Sequence, residues 1–93
     1  MVNFFQLRAA RALTGLSQAE LAEAAGVSIP TLKRAEAGGS IKVAEETIAE
    51  IAKALEKAGV EFIPENGGGA GVRLAKAGAE NRNRPVPSVA EQR

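Results

Sequence analysis

The stretch SQAELAEAAGVSIPTLKRAEAG, residues 17–38, contains two short helical patterns separated by a glycine. Ser17 and Glu20 have the spacing of a capping box, so they predict the start of a helix over about residues 17–25. Gly26 suits the left-handed conformation that ends a helix. Ser28 is then a second N-cap, and Pro30 falls in the next first turn, where its missing N–H costs little. A second helix, ending near Ala37, follows from this spacing.

Two helices joined by a turn of about three residues that contains glycine are typical of a helix-turn-helix. Leu21, Val27 and Leu32 are placed to meet in the angle between the helices. The outward face of the second helix then carries Ile29, Pro30, Thr31, Lys33 and Arg34. A helix of this width fits the major groove of B-DNA, with its N-terminal end toward the bases.

The flanking sequence predicts two more helices. Over residues 4–14, Phe4, Leu7, Ala10 and Leu13 recur at helical spacing. Residues 44–58 are amphipathic, with a stripe made of Ile48, Ile51, Ala52 and Leu55. The predicted fold is mainly α: a four-helix domain with a helix-turn-helix, over residues 1–59.

Beyond residue 59 the pattern changes to alternation. VEFI (60–63) and VRLA (72–75) predict a β-hairpin with a long glycine-rich connection. From about residue 76 the chain has little to bury, which predicts a flexible basic tail over residues 76–93. The tail is either a disordered end or an arm that contacts DNA or a second protein.

Composition excludes several kinds of site. The 93 residues include no cysteine and no histidine, which removes disulfides, thiolate metal ligands and the commonest general base. The GGGAG segment is not followed by a helix beginning with Lys-Ser/Thr, as a phosphate loop would be. No apolar run approaches the ~18 residues that span a membrane. We therefore expect a cytoplasmic protein that is not an enzyme and has no catalytic residue, metal or cofactor.

The charge is unevenly distributed. Residues 1–65 hold seven Lys/Arg and nine Glu, a net charge of −2, whereas residues 66–93 hold five Lys/Arg and two Glu, a net charge of +3. A DNA-binding domain usually shows a basic patch, and the first segment can supply only a local one.

The segment RALTGLSQAELAEAAGVSIPTLKRAEAG resembles the Xre family of helix-turn-helix regulators, which includes the Cro and repressor proteins of lambdoid phages. The resemblance covers roughly residues 4–58. It implies a lambda-repressor-like helix-turn-helix fold and a bacterial or phage DNA-binding transcription regulator. The continuation into the hairpin is similar to a bacterial subgroup with a short β element after the fourth helix. The usual fifth helix is missing here.

The resemblance also implies residue roles. Ile29, Pro30, Thr31 and Arg34 match positions that face base edges, although Ile29 and Pro30 stand where polar residues are common and offer bases no hydrogen bond. The positions implied to face phosphate are Gln18, Ser28, Lys33 and Lys42. Arg11 and Glu36 match a buried structural ion pair.

The structural alternatives at these positions stay open. Both serines act as helix caps with or without DNA, Gln18 can be an ordinary first-turn residue, and Lys33 and Arg34 can form a solvated face.

The hairpin predicts self-association. Its apolar residues are many for such a small fold, and an isolated hairpin is marginal in water. We expect it to pack on the fourth helix, to pair with a second copy, or both. The expected homodimer interface consists of the hairpin and the fourth helix, and its hairpin residues are Val60, Phe62, Ile63, Val72 and Leu74. A two-fold dimer would set two recognition helices ~34 Å apart on a palindromic site. An antitoxin or antiactivator that acts by protein binding is the alternative function.

Overall fold

A computed structural model of the chain describes residues 2–39 and 42–75. These residues form four helices, α1 (Phe4–Thr14), α2 (Gln18–Ala25), α3 (Ile29–Ala37) and α4 (Glu45–Lys57), followed by strands β1 (Val60–Ile63) and β2 (Gly71–Leu74). The predicted fold class, a mainly helical domain with a short hairpin after its fourth helix, is confirmed. The predicted tail lies outside the described residues, and none of the helices in the described part is long and apolar enough to cross a membrane.

The start of α2 and the turn after it have the predicted caps. Ser17 Oγ accepts from the Glu20 N–H at 3.0 Å, and Glu20 Oε1 accepts from the Ser17 N–H at 2.9 Å. Gly26 ends α2 with φ 73°, in the left-handed region that glycine adopts without strain. Ser28 Oγ then accepts from the Thr31 N–H at 3.2 Å and caps α3. Both helix ends at the turn are therefore satisfied locally.

The core draws apolar side chains from every helix. Its five fully buried large residues are Leu7 of α1, Leu21 of α2, Leu32 of α3, and Ile51 and Leu55 of α4. Burial of each such side chain contributes roughly 1.5–3 kcal/mol to folding. Ile48 and Val27 are partly buried against this cluster. The core therefore holds α3 from its inner side only.

The apolar pattern of α1 is only partly used. Leu7 and Ala10 are buried, but Leu13 is 43% exposed, so it is not part of the buried face that its spacing suggests. Near the other end of the helix, Gln6 is buried to 4% exposure. This polar side chain can be buried because the hairpin packs beside the N-terminal half of α1 and brings backbone carbonyls to which a glutamine can donate.

The hairpin is antiparallel, with Val60 opposite Leu74 and Phe62 opposite Val72. Opposed residues of an antiparallel pair lie on the same face of a sheet, so these four share one face. Val60 is 3% exposed and belongs to the same core as the helices, and Phe62 and Val72 are partly buried against that core. Leu74, at the end of the face, remains 58% exposed.

Gln6 joins the two strands to α1. Its Nε2 donates to the carbonyl oxygens of Ile63 (3.2 Å) and Gly71 (2.9 Å). These two residues are opposite each other in the antiparallel pair. Its Oε1 accepts from the Asn3 N–H at 2.9 Å, while Asn3 Oδ1 accepts from the Gln6 N–H at the same distance. One buried amide thus completes the cap of α1 and fixes the position of the hairpin.

Gly38 ends α3 in a place where only glycine fits. Its φ is 68°, and a Cβ built there would lie 2.5 Å from the Phe4 ring. The Phe4 ring therefore packs directly on the backbone at the end of α3, which keeps this end close to the start of α1.

Candidate nucleic-acid interface

The outer face of α3 is the surface that the sequence assigns to DNA. Ile29 is 40% exposed, Pro30 and Arg34 are exposed, and Thr31 is half-buried. The opposite face of the same helix is buried and consists of Leu32, Ala35 and Glu36. Of the four residues with implied base contacts, the structure thus leaves Ile29, Pro30 and Arg34 exposed and Thr31 half-buried.

The N-terminal turn of α3 is held by side-chain hydroxyls. Ser28 Oγ accepts from the Thr31 N–H as the N-cap of α3, and it also lies 2.9 Å from Thr31 Oγ1, within hydrogen-bond distance. Pro30 occupies the first turn, where it has no N–H to leave unsatisfied. The backbone that would approach DNA is therefore pre-ordered, and less conformational entropy is lost on binding.

Three polar side chains connect α1, α2 and α3. Arg11 Nε donates to Glu36 Oε2 at 2.8 Å, and Arg11 Nη2 donates to Glu36 Oε1 at 3.2 Å. Gln18 Nε2 donates to the same Oε1 at 3.1 Å. The Glu36 side chain is 4% exposed and the Arg11 side chain 27% exposed. A bidentate pair of this geometry fixes orientation as well as distance.

This network positions Gln18 at the start of α2. A glutamine amide carries two N–H donors. Gln18 donates one of them to Glu36, so the second is available to a ligand oxygen. The resemblance implies a phosphate contact at this residue. The network therefore joins a buried structural pair to the edge of the candidate interface.

Exposed cations lie on and beside α3. Lys33, Arg34 and Lys42 are exposed. Over residues 2–39 and 42–75 the ion pairs are Arg11–Glu36 and Glu61–Arg73, so no carboxylate of the described chain neutralises these three. Arg34 and Lys42 also line a shallow cleft with Phe4 and Gly38. The local patch is therefore basic although the first 65 residues carry net negative charge.

The residues assigned to a dimer interface differ in exposure. Val60 lies in the core of its own chain, so it presents almost no surface to a second copy. Phe62, Ile63 and Val72 are half-buried, and Leu74 is largely exposed. The apolar surface that the hairpin leaves available is therefore smaller than its sequence suggests, because one face of the sheet covers the helical core.

The outer face of the hairpin carries one exposed ion pair. Arg73 Nε donates to Glu61 Oε1 at 3.0 Å, and Arg73 Nη2 to Glu61 Oε2 at 3.1 Å. These hydrogen bonds and the charge of Arg73 lower the pKa of Glu61 below its usual value of 4.5. The described residues contain no group of three or more acidic side chains placed to hold a metal ion.

Sequence reasoning missed two features. Gln6 was not distinguished from an exposed helical glutamine, although the spacing of Asn3 and Gln6 is that of a capping box. The stacking of Arg8 over Phe4 and Phe5, 5.6 and 5.4 Å from the ring centroids, was also not expected. The adjacent aromatic pair and an arginine one turn later were the available signal.

Comparison with known families agrees with this geometry. A family model described as helix-turn-helix, HTH_3, matches residues 7–62, which include most of α1, all of α2, α3 and α4, and most of β1. No curated protein matches the chain. The matched segment covers more than half of the chain and includes the whole exposed face of α3. The chain therefore belongs to the HTH_3 helix-turn-helix family, and its helical domain is a DNA-binding domain.

Proposed function

We propose that the protein is a sequence-specific transcriptional regulator of the Xre type, acting as a repressor that occupies a palindromic operator as a homodimer. The observation that carries this proposal is the division of α3 into two faces. Leu32, Ala35 and Glu36 fix the helix to the domain, and the opposite face carries Ile29, Pro30 and Arg34 outward. Such a helix can enter the major groove without rearrangement.

Affinity in this proposal comes from phosphate contacts. Gln18, Ser28, Lys33 and Lys42 are the candidate phosphate residues, and Gln18 is held in place by Glu36. Each cation that neutralises a phosphate releases condensed counterions, so binding weakens steeply as salt rises.

Specificity comes from the face of α3. Arg34 is exposed and has the fork of donors that can bind guanine O6 and N7 together. A pair of this kind contributes about 1–3 kcal/mol of discrimination against the wrong base. Thr31, half-buried beside it, offers one hydroxyl group to a neighbouring base or phosphate.

The experiment is selection of bound sites from a random pool of double-stranded DNA, followed by comparison of Arg34→Ala with Lys33→Ala. Arg34→Ala should cost about 1–3 kcal/mol and relax the preference at one base pair of each half-site. Lys33→Ala, the matched control on the same helix, should weaken all sequences alike and reduce the salt slope by about 1. Equal losses on all sequences for Arg34→Ala would contradict its role in base recognition.

The homodimer is tested through Leu74. This residue is 58% exposed, and its replacement leaves the helical core intact, whereas truncation after Gly59 would remove the core residue Val60. Sedimentation equilibrium of the full chain should show a dimer that Leu74→Ser weakens. Phe5→Ser, at a residue 61% exposed on α1, is the control and should leave the dimer unchanged. A wild-type chain that stays monomeric at every concentration, or a dimer that only Phe5→Ser weakens, would contradict a hairpin interface.

One observation favours the alternative function, an antitoxin or antiactivator that acts by protein binding. Phe5 and Leu13 of α1 expose large apolar side chains, at 61% and 43% exposure. Failure of the protein to shift any DNA at low salt would favour this alternative over a regulator.

A further inference from the structure

Ile29 exposes apolar surface at the start of α3. It is 40% exposed and belongs neither to the buried core cluster nor to the partly buried residues packed against it. Val27, two residues earlier, does pack against that cluster. Pro30 has a backbone reason for its position, because the first turn of a helix tolerates its missing N–H. No such backbone requirement applies to Ile29, and the exposed part of its side chain is available to a ligand.

The chemistry of this corner is unusually restricted. Ile29 and Pro30 carry no side-chain donor or acceptor, and Pro30 has no backbone N–H. The N–H of Thr31 is already bonded to Ser28 Oγ. The side chains of the first two residues of α3 therefore present an apolar surface, and within the helix side-chain hydrogen bonding on this face begins with the Thr31 hydroxyl and continues with Arg34.

In the major groove of unmodified DNA, one base edge offers an apolar substituent: thymine, through its C5-methyl group. A cytosine methylated at C5 carries the same group at the equivalent position. Uracil and cytosine carry only hydrogen at C5, so Ile29 and Pro30 would face a gap there. Without that van der Waals contact the two side chains would add little to the binding free energy.

We propose that Ile29 and Pro30 form a contact for the C5-methyl group of a pyrimidine, supplied by thymine or by 5-methylcytosine. This inference rests on the proposed function, because it requires that α3 enter the major groove. Pro30 and Arg34 are one helical turn apart, about 6 Å along the axis. The methylated pyrimidine therefore lies within about two base pairs of the base that Arg34 contacts, since base pairs are stacked about 3.4 Å apart.

The test removes the methyl group and nothing else. In a selected site, each thymine is replaced in turn by uracil, and the affinity of the full chain is measured by fluorescence anisotropy. One position in each half-site should lose about fourfold in affinity, the value of one buried methyl-sized group. At that position, cytosine and 5-methylcytosine are also compared, which shows whether methylated cytosine can supply the same contact.

Protein variants complete the cycle. Ile29→Ala should abolish the preference for the methylated base while leaving affinity for the unmethylated base nearly unchanged. Ile29→Val, which keeps a branched side chain, should retain part of the preference. Lys33→Ala, an exposed change on the same helix, should weaken both DNAs and keep their ratio. Thermal melting of each variant checks that the fold is intact.

The outcomes separate two failures. If the pool yields no enriched sequence, the proposed function fails. If sites are enriched but neither uracil for thymine nor cytosine for 5-methylcytosine lowers affinity, the methyl contact is overturned while the regulator stands. A methyl preference that persists unchanged in Ile29→Ala would equally overturn the assignment to this corner.

Discussion

The two ends of α1 are joined to the rest of the molecule by different chemistry. Near its start, the neutral Gln6 is almost fully buried and donates to two carbonyls of the hairpin. Near its end, the charged Arg11 remains 27% exposed and reaches the buried carboxylate of Glu36. The first end attaches the hairpin and the second orients α2 and α3, so a single helix connects the candidate dimer element with the DNA-binding unit.

The comparison shows how each kind of link is stabilised. An amide satisfies backbone carbonyls without charge, so it can be enclosed completely at moderate cost. A guanidinium loses more hydration on burial, and here it keeps contact with water while its fork engages Glu36. We therefore expect that breaking the Arg11–Glu36 pair lowers the free energy of unfolding more than removing the Gln6 amide does.

The largest expected effect is that of Arg11→Ala. It leaves the Glu36 carboxylate buried with Gln18 as its remaining side-chain donor, so the free energy of unfolding should fall by about 3–5 kcal/mol. Urea unfolding measures this difference. Arg8→Ala, on the same helix, removes stacking on Phe4 and Phe5 and should cost about 1 kcal/mol or less. Equal losses for both arginines would show that the buried carboxylate is not the cause.

Gln6→Ala should have the second-largest effect, a loss of about 1–3 kcal/mol. It removes the donors to Ile63 and Gly71 and the acceptor of the Asn3 N–H. Asn3→Ala is the control, because it removes a cap worth about 1 kcal/mol and keeps the contact with the hairpin. Hydrogen exchange should show faster opening of β1 and β2 in Gln6→Ala than in Asn3→Ala. The same exchange rates in both variants would mean that the amide only caps α1.

Gln18→Ala should affect DNA binding more than stability. Glu36 keeps both hydrogen bonds from Arg11 in this variant, so the loss of unfolding free energy should be about 1 kcal/mol or less. Affinity for all DNA sequences should fall together, because phosphate contacts carry no sequence information. Anisotropy titrations on a selected site and on an unrelated duplex test this. A loss confined to the selected site would instead indicate contact with a base.

The smallest expected effect is that of Glu61→Gln, which breaks the exposed pair on the outer face of the hairpin. Arg73 lowers the pKa of Glu61 in the folded state, so the stabilisation is present above the unfolded pKa and is lost as pH falls through the folded value. The wild type should therefore melt slightly higher than the variant at pH 7, and this difference should shrink as the pH falls through the lowered pKa of Glu61. A difference that grows at low pH would contradict this sign.

Local structure could be predicted largely from local sequence. The residues that cap and end the helices α2 and α3 each act on a backbone group within four residues, so their effect does not depend on the rest of the fold. They are Ser17, Glu20, Gly26, Ser28 and Pro30. The same holds for the apolar stripe of α4, because helical periodicity alone places its members on one side. The Arg11–Glu36 pair came from a resemblance to a known family, since nothing in the spacing of two distant residues shows that they meet.

The differences from expectation lie in tertiary contacts. Leu13 followed the periodicity of α1 yet is exposed, and Val60 was assigned to a second copy yet lies in its own core. Gln6, for which the sequence predicted no role, is buried. The burial of Gln6 and Val60 depends on where the hairpin packs. That position is set by contacts between residues more than fifty apart, on which helical or strand periodicity carries no information.

The sequence by itself therefore determined the four helices, the turn between α2 and α3, and the polar or apolar character of the outer face of α3, because caps and periodicity act over a few residues. Tertiary structure alone decided which side of α1 is covered, how Gln18 is held by Glu36, and how little of the hairpin is left for a partner. The physical reason is that these features depend on packing between elements: a side chain is buried or exposed according to which helix or strand lies against it.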